Sequence, residues 1–245
     1  GNRLHFRWNS SQMLATQTIN NTKWYHVAVT FDGASTYRMY IDGFEIQVNN
    51  SGTSPSVNAN QSLIGAMDRT NNTPINYFGG LIDEVRIWNT SLSQDQIRAM
   101  MNQEIEANGN NVSGVTVPLN IAGLQWNNLV GYYQMLTGSQ TLVANGEVTD
   151  VSNSVFNGKT VNMTATQAET APIPYISNTN NTWDSNATWL NGTIQQIPNS
   201  TANSINGQPQ TWNIVRTQTN VNSGNRVTTV LGLLVDNNRY SITNN

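Results

Sequence analysis

Fourteen carboxylates, two histidines and no cysteine set the chemistry open to this 245-residue chain. Without cysteine there is no thiolate nucleophile, no disulfide and no Cys-based zinc site. A Ser-His-Asp relay would have to use His5 or His26, and both fall inside strand patterns rather than in strand-ending loops. Two histidines also make a poor transition-metal set. Glycoside hydrolysis needs two carboxylates facing each other across about 5–10 Å. On a strand that means acids at i and i+2, or acids brought together by neighbouring strands. Asp83 and Glu84 are adjacent, so an extended strand would send them to opposite faces. Both are expected to be structural, one capping a loop and the other pairing with Arg86. The chain is predicted not to be an enzyme.

Two further groups could hold a ligand. Asp68, Asn71 and Asn72 lie on one loop, D-R-T-N-N-T, and offer the hard oxygen ligands that calcium takes. No cofactor is expected; calcium at this loop, with Asp68 the leading ligand, is the alternative. Asp32 and Asp42 are accounted for by turn geometry. Aromatic faces could stack on sugar rings, and Trp8, Trp24, Tyr40, Trp88, Trp126, Tyr132 and Tyr133 are available. In strands most of these belong to the core. Trp126, flanked by Gly and Asn, is the one expected at the surface and the candidate ligand contact.

The elements that would position these residues are β-strands. Lys23–Gly33 alternates in residue type, closes on Asp32-Gly33, and is answered by Tyr37–Gly43. Period-two patterning with β-branched and aromatic residues predicts an antiparallel hairpin of 24–31 with 37–42. Further strands are predicted at 3–8, 44–48, 61–66 and 80–88, separated by Asn/Ser/Gly/Pro-rich loops at 49–60 and 68–76. One helix is predicted, Gln94–Met101. Ser93 and Gln96 have capping-box spacing, Leu92 and Ile97 that of a hydrophobic staple, and Asp95 suits the first turn of the helix dipole. Residues 102–123, with Asn108–Asn111 and Pro118, read as a connector. Leu129–Met135 reads as a strand that joins the preceding sheet rather than opening a new unit.

Charged residues are only 10% of the chain and the net charge is −3. Asn, Thr, Ser, Gln and Gly take their place, which suits an extracellular protein. No basic footprint for nucleic acid is present, and no apolar run approaches the roughly 20 residues that span a bilayer. N-x-S/T triplets at Asn9, Asn20, Asn71, Asn89, Asn162 and Asn186 are what so Asn-, Ser- and Thr-rich a chain produces by chance.

The block W-x-H-V-A-V-T-F-D-G followed by Y-I-D-G resembles the central hairpin of laminin-G-like, concanavalin-A-type jelly rolls. Gly79–Asn89 and Leu92–Ile97 are similar to the closing strand and short helix of that family. The resemblance covers residues 1–101 well and the remainder more loosely. It implies an all-β fold in which Leu4–Trp8 is a middle strand, so opening strands are expected before Gly1 in a longer protein. It also places His26 at the family's structural histidine. The E-x-D-x-x-E pattern of jelly-roll glycosidases is absent. Gly131-Tyr132-Tyr133, with Asp150, Ser152, Gly158 and Asn162, is similar to the opening of a unit of the same family. Beyond Pro172–Tyr175, expected to act as a hinge, Thr182-Trp183 and Trp189–Gly192 resemble the start of bacterial surface β-repeat segments. The fold expected is therefore a laminin-G-like jelly-roll sandwich over 1–175, lacking its N-terminal part, followed over 176–245 by the start of a solenoid-like β-repeat.

The order of these parts resembles giant adhesins of gliding Bacteroidota, of the SprB type. That resemblance implies a bacterial cell-surface protein exported by type IX secretion. Its partners would be an extracellular polysaccharide or surface, and further repeats of the same long chain, with no nucleic acid and no membrane insertion. Two other readings stay open: a carbohydrate-binding module of a polysaccharide-degrading enzyme, and an architectural filament or sheath protein.

Overall fold

The computed structural model describes residues 2–55, 62–67, 73–135, 146–162, 170–202, 204–236 and 240–241. The chain is nearly all β. β1 (His5–Trp8) and β2 (Ser11–Leu14) form a hairpin, and β3 (Val27–Phe31), β4 (Tyr37–Ile41) and β5 (Phe44–Asn49) an antiparallel sheet. Between β3 and β4, Asp32 Oδ1 accepts from the backbone N–H groups of Ala34, Ser35 and Thr36, an Asx-type turn. Between β4 and β5, Asp42 (φ 50°) and Gly43 (φ 75°) both take the left-handed conformation of a two-residue hairpin turn. Alternation places Tyr37, Met39 and Ile41 on one buried face against Trp8, Met13 and Ala15. Trp8 and Tyr37 stack at 4.1 Å, and Phe31 and Tyr37 at 4.3 Å.

Two predicted strands are shorter than expected. Among the described residues 62–67 the only pairing is a bridge from Met67 to Ile75, because Gly65 at φ 81° bends the run. The 80–88 segment becomes β6 (Val85–Trp88), because Glu84 at φ 53° interrupts the extended backbone ahead of it. The helix α1 (Gln94–Met100) has both halves of its capping box formed and buries Ile97 and Met100.

Residues 102–123 are more than a connector. β7 (Ile105–Asn108), β8 (Asn111–Gly114) and β9 (Asn120–Gln125) form a three-stranded antiparallel sheet, and the Asn108–Asn111 loop signal is a hairpin turn through Gly109 at φ 60°. β10 (Leu129–Tyr133) pairs antiparallel with β6 and so extends the preceding fold. Asp150 fixes the next loop to it: its Oδ1 accepts from the N–H of Tyr132 and Ser152, its Oδ2 from that of Phe156. The loop carries a short pair, β11 (Glu147–Val148) with β12 (Gly158–Lys159).

From Tyr175 onward pairing changes from antiparallel to parallel. β13 (Tyr175–Ile176), β15 (Ile214–Thr217) and β17 (Gly232–Val235) form one parallel stack. β14 (Asn181–Thr182), β16 (Val221–Asn222) and β18 (Tyr240–Ser241) form another. Tyr175, Val215 and Leu233 sit in register across the first stack. The interior is filled by Tyr175, Trp183, Trp189, Val215 and Val221. This is the solenoid-like stacking expected of the segment, since each short strand buries its inner side chain only against the next coil.

The two parts are joined by buried contacts. Trp212 packs edge-on against Phe44 at 4.8 Å, lies 3.8 Å beneath the Arg98 guanidinium, and donates from Nε1 to the Asp42 carbonyl at 3.1 Å. Gln196 Nε2 donates to Asp42 Oδ2, Gln210 Nε2 to Gln196 Oε1, and Asn213 Nδ2 to Gln210 Oε1 and Asn102 Oδ1. The Pro172–Tyr175 segment, expected to act as a hinge, is tied down. The Pro172 carbonyl accepts from Asn102 Nδ2, and Ala171 N–H donates to Asp83 Oδ2.

Candidate functional site

Asp83 and Glu84 do not sit on an extended strand, since Glu84 takes φ 53°. Asp83 uses both oxygens as acceptors, Oδ1 from Glu84 N–H and Oδ2 from Ala171 N–H. Burial pushes its carboxyl up to about 6, against those hydrogen bonds. Glu84 Oε2 pairs with Arg86 and accepts from the Tyr132 hydroxyl at 2.7 Å. Arg86 is buried. Its remaining NH1 and NH2 bonds go to the Met100 and Gln103 carbonyls, and it lies 5.1 Å from the Tyr132 ring centroid. These carboxylates therefore serve as loop cap and ion-pair partner. Both Asp83 oxygens accept from backbone donors.

His5 is exposed and bonded to Gln12 Oε1. His26 donates from its backbone N–H to Asp42 Oδ1. Burial, reinforced by the Arg86 charge, lowers its ring to about 4, so the imidazole is neutral near pH 7. Neither histidine is placed as the base of a serine nucleophile. Asp42 does more than shape a turn. Its carboxylate lies at the buried junction of the two parts, where burial pushes it up to about 7 against hydrogen bonds from His26 and Gln196.

Asp68, Asn71 and Asn72, the expected calcium ligands, lie outside the described residues. Among the described residues no three His, Asp or Glu side chains converge as a metal set.

The aromatic platform is not where the sequence placed it. Trp126, expected at the surface, is 7% exposed and packs with Val112, Ile121, Leu124 and Leu129. Its polar flanks, Asn127 and Asn128, form a single 3-10 turn with it. The indole drops inward to join Ile121 and Leu124 in the core. Its face is not free for stacking. Trp8, Tyr40 and Tyr132 are also buried, while Trp24, Trp88 and Tyr133 are half-buried.

Among the described residues two neighbouring aromatics, Tyr77 and Phe78, are each 60% exposed, with Ile64, Met67 and Leu81 exposed nearby in the chain. Their loop is held in place. Met67 and Ile75 exchange two backbone hydrogen bonds of 2.8 Å, and Phe78 N–H donates to the Gly65 carbonyl at 2.7 Å. The Phe78 ring folds over Gly80, where a Cβ would meet it at 2.7 Å. The Tyr77-Phe78-Gly79-Gly80 run was the signal available: two aromatics outside any strand alternation, next to glycines that leave room for a ring. A third exposed aromatic, Phe156, is 70% exposed on the loop after Asp150.

Residues 1–98 match the model of the concanavalin A-like lectin/glucanases superfamily. No curated protein matches the chain. Two solved structures resemble it. One is an S-layer domain-containing protein from Clostridium thermocellum, with 29% identity over 36% of this chain and 43% of that one, at a TM-score of 0.30. The other, from Bacteroides ovatus, is described as carbohydrate-binding, with 20% identity over 66% of this chain and 43% of that one, at a TM-score of 0.44. The chain spans less than half the length of either. Among the described residues no helix is long and apolar enough to cross a membrane.

Proposed function

We propose that this chain is a non-catalytic segment of a bacterial cell-surface adhesin, in which the lectin-like part contacts glycans or surfaces and the parallel β-stack acts as a spacer. The observation that carries the reading is the pair Tyr77 and Phe78, held exposed on a pinned loop of the part that matches a lectin superfamily. An aromatic face on a fixed backbone stacks on a sugar ring without first paying to order the loop. Each contact would be weak, and repetition along a long chain would supply avidity. Gliding Bacteroidota, type IX export and further repeats of the same chain belong to this proposal through the sequence resemblance, as does calcium at Asp68, Asn71 and Asn72.

The test is co-sedimentation of the purified chain with insoluble polysaccharides, run beside a reducing-sugar assay. The reading predicts retention without sugar release, and loss of retention in Tyr77→Ser/Phe78→Ser. Sugar release abolished by changing one Asp or Glu would overturn it.

A further inference from the structure

Asp42 lies where the antiparallel part meets the parallel stack and is 4% exposed. Its carboxylate accepts two hydrogen bonds of 2.9 Å, from the His26 backbone N–H to Oδ1 and from Gln196 Nε2 to Oδ2. A carboxylate offers about four lone-pair sites, and among the described residues no cation forms an ion pair with this one. The charged and titratable groups around it are engaged elsewhere. Arg98 of α1 donates from Nε to the Gly43 carbonyl, lies over the Trp212 ring and pairs with Asp95 at 3.8 Å. Tyr175 of β13 has its hydroxyl pushed up by burial and then by the Asp42 charge, so it brings no positive charge. The His26 ring is neutral near pH 7 and lines a cavity with Glu84 and Arg86 inside the antiparallel part.

The Gln196 donor is held from the stack side. Asn199 N–H donates to Asn213 Oδ1 at 2.7 Å, which turns Asn213 Nδ2 toward Gln210 Oε1. Gln210 then gives Nε2 to Gln196 Oε1, and Gln196 gives Nε2 to Asp42 Oδ2. An amide has one donor end and one acceptor end. This chain of three therefore ends on Asp42 as its acceptor, and cannot reverse without losing the Asn199 bond. Asp42 is also tied through its main chain, since its carbonyl accepts from Trp212 Nε1 at 3.1 Å. Buried as it is, the carboxylate meets water only if these bonds open. Ionised in place, it is a buried charge with neutral donors alone, which burial disfavours. Opening hydrates that charge, so the ionised form favours the open junction and the neutral form the closed one.

We propose that Asp42 is a proton-operated latch between the two parts: neutral, it holds the parallel stack closed on the antiparallel sheet, and ionised, it loosens the junction locally through Gln196, Gln210 and Trp212. The latch does not depend on the glycan reading, and its test is separate. Burial pushes the carboxyl up to about 7 in the closed junction, against 3.8 when hydrated. The closed state binds the proton more tightly, so closure is fully favoured below about pH 4, weakens by about tenfold per pH unit up to about 7, and is level above that. His26, lowered to about 4, titrates at the foot of this window. Its ring is buried within the antiparallel part, so junction opening leaves it unchanged. The full chain, labelled with ¹⁵N, is followed by hydrogen exchange across this range, each rate divided by that of the unfolded chain at the same pH. The Asn199 amide and the Trp212 indole N–H report the junction, the β4 amides the antiparallel sheet and the β15 amides the stack. The latch predicts that junction protection falls by about tenfold per pH unit and then levels off, while β4 and β15 do not follow. Junction protection that ignores pH, or falls in step with β4 and β15, overturns it. Asp42→Asn offers one acceptor to two donors and lowers protection at every pH, so its slope is read rather than its level. A folded Asp42→Asn protein that keeps the wild-type slope overturns the proposal. Gln196→Met removes one donor from the carboxylate and should carry the fall to higher pH than in the wild type; a folded variant with an unmoved plateau also counts against the latch.

Discussion

Replacing Trp212 by Ala should uncouple the parallel β-stack from the antiparallel part. The indole is 8% exposed, packs edge-on to Phe44 and lies under Arg98, with its N–H bonded to the Asp42 carbonyl. Truncating a buried aromatic to Ala costs about 3–5 kcal/mol. The cation–π contact adds about 1 kcal/mol, and the stranded carbonyl about 1–3 kcal/mol. The contributions share atoms and do not add, so the expected loss is about 4 kcal/mol. Trp212→Phe keeps a ring but loses the N–H and part of the indole volume, so its loss should be about 2–3 kcal/mol, below that of Trp212→Ala. Urea unfolding gives both values, and amide hydrogen exchange gives their location. In the wild type the amides of 175–236 and those of β3 to β5 should open together. In Trp212→Ala the 175–236 amides should open first, at lower urea. A loss under about 1 kcal/mol, or unchanged coupling of the two sets of amides, would refute the claim that Trp212 joins the two parts.

Three further outcomes follow from the same junction and the rim. Gly43→Ala should destabilise by about 2–4 kcal/mol, since φ 75° disfavours a Cβ and that Cβ would meet Trp212 Nε1 at 2.7 Å; a neutral thermal melt would contradict this. Burial raises the Asp42 carboxyl from 3.8 to about 7, so the folded chain holds this proton more tightly than the unfolded chain. Its stabilising share is full below about pH 4 and is lost as pH rises through 7, and Asp42→Asn should flatten that stretch of the stability–pH curve measured by urea unfolding. If calcium binds at 68–72, chelating it should lower the melting temperature and Asp68→Ala should abolish that difference; a variant that keeps the full calcium response would move the site elsewhere.

Local patterning carried most of what the sequence revealed. The hairpin of Val27–Phe31 with Tyr37–Ile41 and the Ser93–Gln96 capping box are set by neighbours a few residues apart, and both were readable. The pairing of Arg86 with Glu84 was readable for the same reason. Failures came where one backbone angle or a distant partner decides. Gly65 and Glu84, in the left-handed region, shortened two predicted strands. The Asn108–Asn111 run looks alike as a loop or as a hairpin turn until β7 and β8 are seen to pair across it. Trp126 was judged by its polar flanks, whereas Ile121, Leu124 and Leu129 decide its burial. Asp42 satisfies the hairpin turn and also meets Gln196, 154 residues away, a contact no local pattern encodes.

The most direct test of the adhesin reading compares one copy of the chain with several copies tethered on a flexible scaffold, both measured for binding to the same polysaccharide-coated surface. The reading predicts weak, rapidly reversible binding by the single copy and a gain of about 10²–10⁴ on tethering, with both lost in Tyr77→Ser/Phe78→Ser. Single-copy binding as tight as that of the tethered array, or binding unaffected by the double substitution, would contradict it.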